Sequence, residues 1–318
     1  MNLDRKTANR RKINAARLSV ASNSLLLVGK LAAGFLMGSI SVIADGIHSG
    51  MDLLAALIAF AAVRQSAKPA DEQHRFGHGK FENLAGIIEA GLIVLAAGAI
   101  IWHAVSRLFA PTPVESLGLG AVVLVVAILV NTGVSQHLMR VARETDSPAL
   151  EANAWHLRTD ILTSVGVLAG LGLIKVTGLL IIDPLVAILV ALFILRAAYR
   201  LIRDSLRSIL DVRLPEADEG RIQSVLVRYQ SEYAEFHALR TRKAGSERHI
   251  DLHLVTPAWG SVATAHDLCN RIERDIAALF PNEVHVLIHI EPCDRACAAC
   301  PKAAQSNCTN NCDSCARR

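Results

Sequence analysis

Two segments of the chain repeat the same spacing of a histidine and an aspartate. Asp52 follows His48 by four residues, and Asp160 follows His156 by four residues. Positions i and i+4 lie one turn apart on the same face of a helix, so each segment can direct one imidazole and one carboxylate to a shared point. Two nitrogen and two oxygen ligands suit a tetrahedral divalent ion, and zinc is the best match. A pair of interhelical hydrogen bonds is the structural alternative.

Both motifs lie in long apolar stretches. Hydrophobic residues make up 52% of the 318 residues and charged residues 19%, and the mean hydropathy is +0.35, which argues against a purely soluble protein. A hydrocarbon core needs a helix of roughly 20 residues, and a charged side chain inside it needs a partner. The six stretches of this kind are residues 18–37, 40–63, 84–109, 117–139, 149–173 and 179–202.

Lysine and arginine are concentrated in the segments on one side of these stretches. This asymmetry predicts a multi-pass protein of the lipid bilayer, in the cell inner (plasma) membrane, with both termini in the cytoplasm. The net charge of +4 gives no indication of a nucleic-acid surface. The basic residues on the predicted cytoplasmic side are Arg5, Lys6, Arg10, Arg11, Lys12, Arg64, Lys68, Arg75, Lys80, Arg140, Arg143, Arg200, Arg203 and Arg207.

The composition becomes that of a soluble domain from Asp211 onward. Its periodic patterns predict an α-β-β-α-β order, which is typical of a small open α+β sandwich. The predicted elements are a helix over 216–229, strands over 235–243 and 248–256, a helix over 261–280 and a strand over 283–291. We therefore expect a membrane α-helical protein in three parts. These are a six-helix transmembrane domain (1–210), a cytoplasmic domain (211–292) and a Cys-rich flexible tail (293–318).

The combination of six stretches, paired motifs and a cytoplasmic domain resembles the cation diffusion facilitator family of metal/proton antiporters, over roughly residues 10–293. In that family the transport site is built from the second and fifth membrane helices, which implies His48, Asp52, His156 and Asp160 as its ligands here. The His-Asp/His-Asp form is similar to the zinc-preferring branch. The resemblance implies a homodimeric transporter that exports a divalent metal ion from the cytoplasm in exchange for protons. It also implies that the protein is not an enzyme.

The loop between the second and third stretches carries a second candidate site. Asp71, His74 and His78 can converge on an ion, because Gly77 and Gly79 let the backbone turn tightly. The segment resembles the family's loop signature, in which these three positions bind metal in some members. The alternative is a solvated loop that only contacts the next domain.

Strand alternation in the cytoplasmic domain predicts one apolar face and one face with potential ligands. His237, His253, His289 and Glu291 coincide with family positions of a regulatory metal cluster near the dimer contact, with His266 as a further candidate. The resemblance therefore implies that residues 211–292 form a metal-binding dimerisation domain. A polar sheet face that meets water or a sister subunit is the alternative.

The tail contains a duplicated cysteine pattern in which every cysteine recurs after 15 residues. Structural disulfides are disfavoured in the reducing cytoplasm, and thiolates at this spacing favour zinc, cadmium or copper(I). An iron–sulfur cluster and an inert tail are the alternatives. The cysteines are Cys293, Cys297, Cys300, Cys308, Cys312 and Cys315.

Three alternatives to zinc export remain at this level. The exported ion can be cadmium, cobalt, iron or manganese, or the protein can be a membrane-bound metal sensor that moves nothing. An intramembrane metal hydrolase is disfavoured, because the chain lacks a His-Glu-x-x-His motif. We expect no catalytic residues and no catalytic cofactor, with zinc or another divalent metal acting as substrate and regulatory ligand.

Overall fold

A computed structural model describes residues 5–37, 40–109, 118–177 and 181–293. The chain divides into two compact units. One unit is Lys6–Ile209, and the other is Leu210–Arg318 together with Met1–Arg5. Each unit has its own core, and each is described separately below.

In its described residues the first unit contains six long helices, as the apolar pattern predicts. They are α1 (Arg5–Met37), α2 (Ile40–Ser66), α3 (Lys80–Phe109), α4 (Gly118–Thr145), α5 (Pro148–Thr177) and α6 (Ile182–Ile209). Most are longer than the predicted stretches, because their polar ends continue the helix. The start of α1 is rich in Arg, Lys and Ala, which are good helix formers.

Five of the six helices have described segments long and apolar enough to cross a membrane. These segments are Arg5–Leu36, Gly46–Ser66, Lys80–Phe109, Val122–Thr145 and Pro184–Ile209. The described part of α5 carries the charged residues Glu151, Arg158 and Asp160. The helix with the second His-x-x-x-Asp motif thus holds charged side chains, and a charged side chain at membrane depth needs a partner.

Small residues fill the contacts between these helices. Ala90 and Ala97 of α3 are fully buried against Ala191 and Ala198 of α6. Between α1 and α2 the approach is closer still, since a Cβ on Gly46 would lie 2.8 Å from Leu31 Cδ2. Small side chains let helix backbones approach in this way, which is how helices associate without a hydrophobic driving force in lipid.

A buried ionic cluster fixes one end of this unit. Lys12 Nζ donates to Glu82 Oε1 at 2.8 Å, and Ser66 Oγ donates to the same oxygen at 2.7 Å. Ser147, just before α5, donates to Glu82 Oε2. Lys12 and Glu82 are almost fully buried, so each charge needs the other as its partner. One carboxylate thereby holds α1, α2, α3 and the start of α5 together.

The second unit contains α7 (Glu216–Arg228), β1 (Glu235–Ala244), β2 (Glu247–Thr256), α8 (Val262–Ala277) and β3 (Val284–Pro292). The predicted α-β-β-α-β order is confirmed. The strand order is β1-β2-β3, with β1 and β2 antiparallel and β2 and β3 parallel. Helix α8 begins where Ser261 Oγ accepts from the Thr264 N–H at 3.1 Å, since an N-cap oxygen satisfies a free amide.

The strand register brings histidines into one row across the sheet. His253 of β2 pairs with His237 of β1 and with His289 of β3. A β-bulge follows His237, and Ala238 there has a φ of 51°, a conformation rare for a residue with a Cβ. The opposite face of β2 contributes to the core of the unit.

Candidate metal centre

The four predicted ligands of α2 and α5 lie together. His156 Nε2 is 3.3 Å from Asp52 Oδ1, and one ligand atom from each of His48, Asp52 and Asp160 lies within 4.8 Å of the others. Bonds of about 2 Å to one ion bring such atoms to about 3.4 Å apart. Small side-chain rotations would therefore close this cluster around a single ion. We call these four residues the membrane cluster.

Unsatisfied polar atoms accompany this cluster. Asp160 Oδ2 and His156 Nδ1 are buried with no hydrogen-bond partner among the described residues. Asp52 and His156 are each only 7% exposed. Burial of a polar atom without a partner is unfavourable, and a bound cation would compensate the Asp160 oxygen directly. Asn23 of α1 supports the site by donating to the backbone oxygen of Asp52 at 3.3 Å.

Helix α1 also brings a buried cation to this region. Lys30 Nζ donates to Ser49 Oγ at 2.9 Å, and Ser49 is the neighbour of His48 in the chain. Both side chains are buried. Lys30 is not predicted as a site residue, because a single lysine in an apolar stretch has no spacing pattern to identify it.

Glu89 of α3 is a second residue that the sequence analysis missed. Its side chain is fully buried, and neither carboxylate oxygen has a hydrogen-bond partner among the described residues. The side chain lies within electrostatic range of His156. A lone ionisable residue inside an apolar stretch is itself a signal of function, and that signal could have identified Glu89.

The loop between α2 and α3 brings its three predicted ligands together. His78 Nε2 is 3.3 Å from Asp71 Oδ2, and His74 Nδ1 is 3.2 Å from Asp71 Oδ1. The two imidazole rings lie 4.4 Å apart between centroids. Gly77, with a φ of 80°, allows the turn that places His78 beside His74. One oxygen and two nitrogens therefore face a common point, as a small metal site requires.

The surroundings of Asp71 favour its ionised carboxylate, which is the form that binds metal. The backbone N–H of His74 donates to its carboxylate at 2.6 Å, and this bond lowers the pKa of Asp71 below its usual value. His78 is only 3% exposed, and its Nδ1 has no hydrogen-bond partner among the described residues. An ionised carboxylate thus stands beside a largely buried imidazole.

The histidine row of the cytoplasmic sheet converges on Glu291. His253 Nδ1 is 2.9 Å from Glu291 Oε1, His237 Nε2 is 3.4 Å from Oε2, and His289 Nε2 is 3.9 Å from Oε1. The hydrogen bond from His253 lowers the pKa of Glu291, so its carboxylate is ionised at neutral pH. His266 on α8 belongs to no such group within the described ranges. We call His237, His253, His289 and Glu291 the sheet cluster.

Only the first tail cysteine falls within the described residues. Cys293 is buried at the end of β3, and its backbone N–H donates to the Thr256 oxygen at 2.8 Å. The other five predicted thiolate ligands lie outside the described residues. They are Cys297, Cys300, Cys308, Cys312 and Cys315.

Two family models match successive parts of this chain. A model described as the cation efflux transmembrane domain matches residues 16–210. A second, described as the cytoplasmic domain of a cation efflux protein, matches residues 214–293. The membrane cluster lies within the first match and the sheet cluster within the second.

Individual proteins match over similar lengths. An uncharacterised transporter, sll1263, of Synechocystis is 36% identical over 87% of this chain and 89% of its own. The cation-efflux pump FieF of Escherichia coli is 32% identical over 88% of this chain and 92% of its own. A solved structure of the putative zinc transporter CzrB in its zinc form is 37% identical over 26% of this chain and 92% of its own, with a TM-score of 0.25. The chain belongs to the cation diffusion facilitator family of multi-pass membrane proteins that export metal cations.

Proposed function

We propose that this protein is a homodimer that exports zinc from the cytoplasm across the inner membrane in exchange for protons. The observation that carries this proposal is the convergence of His48, Asp52, His156 and Asp160 from two long helices. A carboxylate at membrane depth costs at least about 2.5 kcal/mol on insertion scales, so two of them need compensation. A divalent cation with nitrogen and oxygen ligands supplies it.

Proton coupling follows from the same four side chains. Metal binding requires neutral imidazoles and ionised carboxylates, so protons and zinc compete for identical atoms. When the site opens outward, protons bind the ligands and release the ion. When it opens inward, the lower proton concentration frees the ligands for the next ion. No separate proton pathway is needed for this exchange.

The membrane potential restricts the stoichiometry. Two positive charges moved outward against about 100 mV cost about 4.6 kcal/mol, and each returning proton recovers about 2.3 kcal/mol. Two protons per ion therefore cancel the electrical term. We expect a ratio above one proton per zinc wherever the potential is large and the pH gradient small.

The orientation rests on the basic residues at the helix ends. Arg64, Arg143 and Arg207 lie in the last turns of α2, α4 and α6, which end on the same side of a helical bundle with alternating directions. On the opposite side, the last turn of α3 has only Arg107. Basic segments favour the cytoplasmic side, so both termini belong there.

The remaining clusters bind cytoplasmic zinc in this proposal. The loop ligands Asp71, His74 and His78 form a second site, and the sheet cluster forms a regulatory site in the dimerisation domain, residues 211–292. The tail, residues 293–318, captures zinc through its six cysteines. These sites adjust transport to the zinc supply and are not steps of the membrane pathway.

Zinc flux in proteoliposomes tests this proposal. With equal zinc on both sides, the purified protein should carry zinc toward the acidic side of the membrane, and a protonophore that collapses the pH gradient should stop this net movement. Cadmium, cobalt, iron(II) and manganese should be measured in turn, with zinc expected to move fastest. Zinc binding without flux of any ion would instead favour a membrane-bound sensor. As a control, the His137→Ala protein, in which an exposed histidine on α4 is replaced, should transport zinc as the wild type does.

A further inference from the structure

A second group of histidines lies on the cytoplasmic sheet, apart from the sheet cluster. His249 of β2 pairs in register with His285 of β3, and their rings stack with centroids 4.8 Å apart and an interplanar angle of 18°. Glu247 Oε2 is 3.7 Å from His285 Nε2. One ligand atom from each of these three residues lies within 4.8 Å of the others.

Strand geometry explains why these side chains meet. Side chains alternate between the two faces of a strand, so Glu247 and His249, two residues apart on β2, point to the same face. The parallel register then places His285 beside His249. Glu247 and His249 are each 8% exposed, while the His285 side chain is 47% exposed. The group is therefore half enclosed and accessible from one side.

This group is too far from the sheet cluster to share its ion. His249 and His285 each precede their counterparts His253 and His289 by four residues. At about 3.3 Å per residue, four residues span about 13 Å. Two ligand bonds of about 2 Å each cannot bridge that distance.

From this geometry we propose that Glu247, His249 and His285 form a further binding site for a divalent transition metal such as zinc. Two imidazole nitrogens and one carboxylate oxygen are a ligand set that zinc accepts, with a fourth position for water or for Glu283, whose Oε1 is 3.7 Å from His285 Nε2. The site needs no partner chain and no membrane ligand. It stands whether or not the proposed transport function is correct.

The rival explanation is an ionic network without metal. Arg5, which belongs to the same compact unit, places Nη2 3.3 Å from Glu247 Oε1 and Nη1 2.9 Å from Glu283 Oε2. In that case the carboxylates of Glu247 and Glu283 pair with Arg5 and His285, and added zinc does not bind here. Metal and network differ in one measurable way, since only a metal ligand is shielded from chemical modification by zinc.

Carbethoxylation of the full-length protein by diethyl pyrocarbonate, read residue by residue by mass spectrometry, tests the site. His285 and His289 are both exposed enough to react, with side-chain exposures of 47% and 66%. We expect added zinc to protect both in the wild-type protein. Glu247→Gln and His249→Ala should each raise the zinc concentration for half-protection of His285 by about tenfold or more, and leave that of His289 unchanged. His253→Ala should do the reverse.

Three outcomes would overturn the proposal. They are absence of zinc protection at His285 in the wild type, unchanged protection in both Glu247→Gln and His249→Ala, and equal loss at His285 and His289 in His253→Ala. Because His249 is buried, its alanine variant is scored only if its circular dichroism and elution volume match the wild type. Glu247→Gln preserves side-chain size and decides the matter alone if that variant does not fold.

Discussion

His156 Nε2 lies 3.3 Å from Asp52 Oδ1, although 104 residues separate them in the chain. The contact joins α5 to α2, so the shape of the membrane cluster depends on how these two helices sit against each other. A shift of one helix relative to the other would change the distances between the ligands on α2 and those on α5. A carrier that exposes its site alternately to the two sides of a membrane uses movements of this kind.

His48→Asp should shift the preference of the transporter toward harder ions. The change exchanges a nitrogen ligand for oxygen, and manganese and iron(II) tolerate oxygen-rich sites better than zinc does. We expect the ratio of zinc flux to manganese flux to fall by about tenfold. His137→Asp on α4 is the control, because His137 lies outside the membrane cluster. An unchanged flux ratio in His48→Asp would count against His48 as a ligand.

Glu89→Gln should impair transport without destabilising the protein. The amide keeps the size of the side chain but removes a buried carboxyl group near His156, and such neighbours of metal ligands affect activity by about 10- to 100-fold. We therefore expect zinc flux to fall by about tenfold while the melting temperature in detergent stays the same or rises. Wild-type flux would remove Glu89 from the mechanism.

Glu82→Gln should lower the stability of the protein and leave its transport activity unchanged. Glu82 holds Lys12, Ser66 and Ser147, and loss of its charge leaves the buried ammonium of Lys12 without this carboxylate. Breaking a buried ion pair typically costs about 3–5 kcal/mol. We expect a clearly lower melting temperature and less folded protein, with normal flux per folded molecule. Equal stability of the Glu82→Gln and wild-type proteins would mean that this cluster does not fix the helix ends.

His289→Ala should weaken zinc binding to the sheet cluster and loosen the dimer, with transport reduced rather than lost. His289 is exposed and contributes one nitrogen near Glu291, so its removal leaves the core of the unit intact. Calorimetric titration of full-length protein in an Asp160→Asn background measures the effect without the membrane cluster. His137→Ala on α4 is the control, because His137 belongs to none of the candidate metal groups. Identical zinc affinity in the His289→Ala protein would assign His289 to a merely polar sheet face.

Replacement of the six tail cysteines by serine should reduce zinc flux when zinc is scarce and leave it unchanged when zinc is saturating. Thiolates on a tether raise the local zinc concentration near the entrance, and that advantage disappears once capture no longer limits the rate. Reducing conditions keep disulfides from confusing the comparison. Equal loss at both concentrations would instead make the tail part of the folded transporter.

The features that the sequence predicts well are those with a short repeat. Six long helices and the order of the cytoplasmic elements follow from apolar periodicity, and the His-x-x-x-Asp spacing places His48 beside Asp52 and His156 beside Asp160 on their helices. The features it does not reveal depend on contacts between distant segments. Glu82 and Glu89 look alike in the sequence, yet one is fully hydrogen-bonded in a buried network and the other has no partner among the described residues.

Strand register explains the remaining difference. Alternation identifies His249 and His285 as polar-face residues, but only the parallel pairing of β2 and β3 places the two rings side by side. A shift of one residue in that pairing would separate them and turn each to another neighbour. The sequence therefore predicts that His249 and His285 are polar-face residues, but it does not predict that they contact each other.

Simultaneous recording of zinc flux and internal pH in proteoliposomes containing the wild-type or Asp160→Asn protein is the decisive test of proton-coupled zinc export through the membrane cluster. Asparagine matches aspartate in size but is a poor replacement for an anionic ligand, so the variant should insert and dimerise normally. We predict opposed zinc and proton fluxes in the wild type and near-complete loss of both in Asp160→Asn. Asp204→Asn, an exposed carboxylate on α6, should retain both fluxes. Wild-type zinc flux in Asp160→Asn, or zinc flux without proton movement in the wild type, would contradict this prediction.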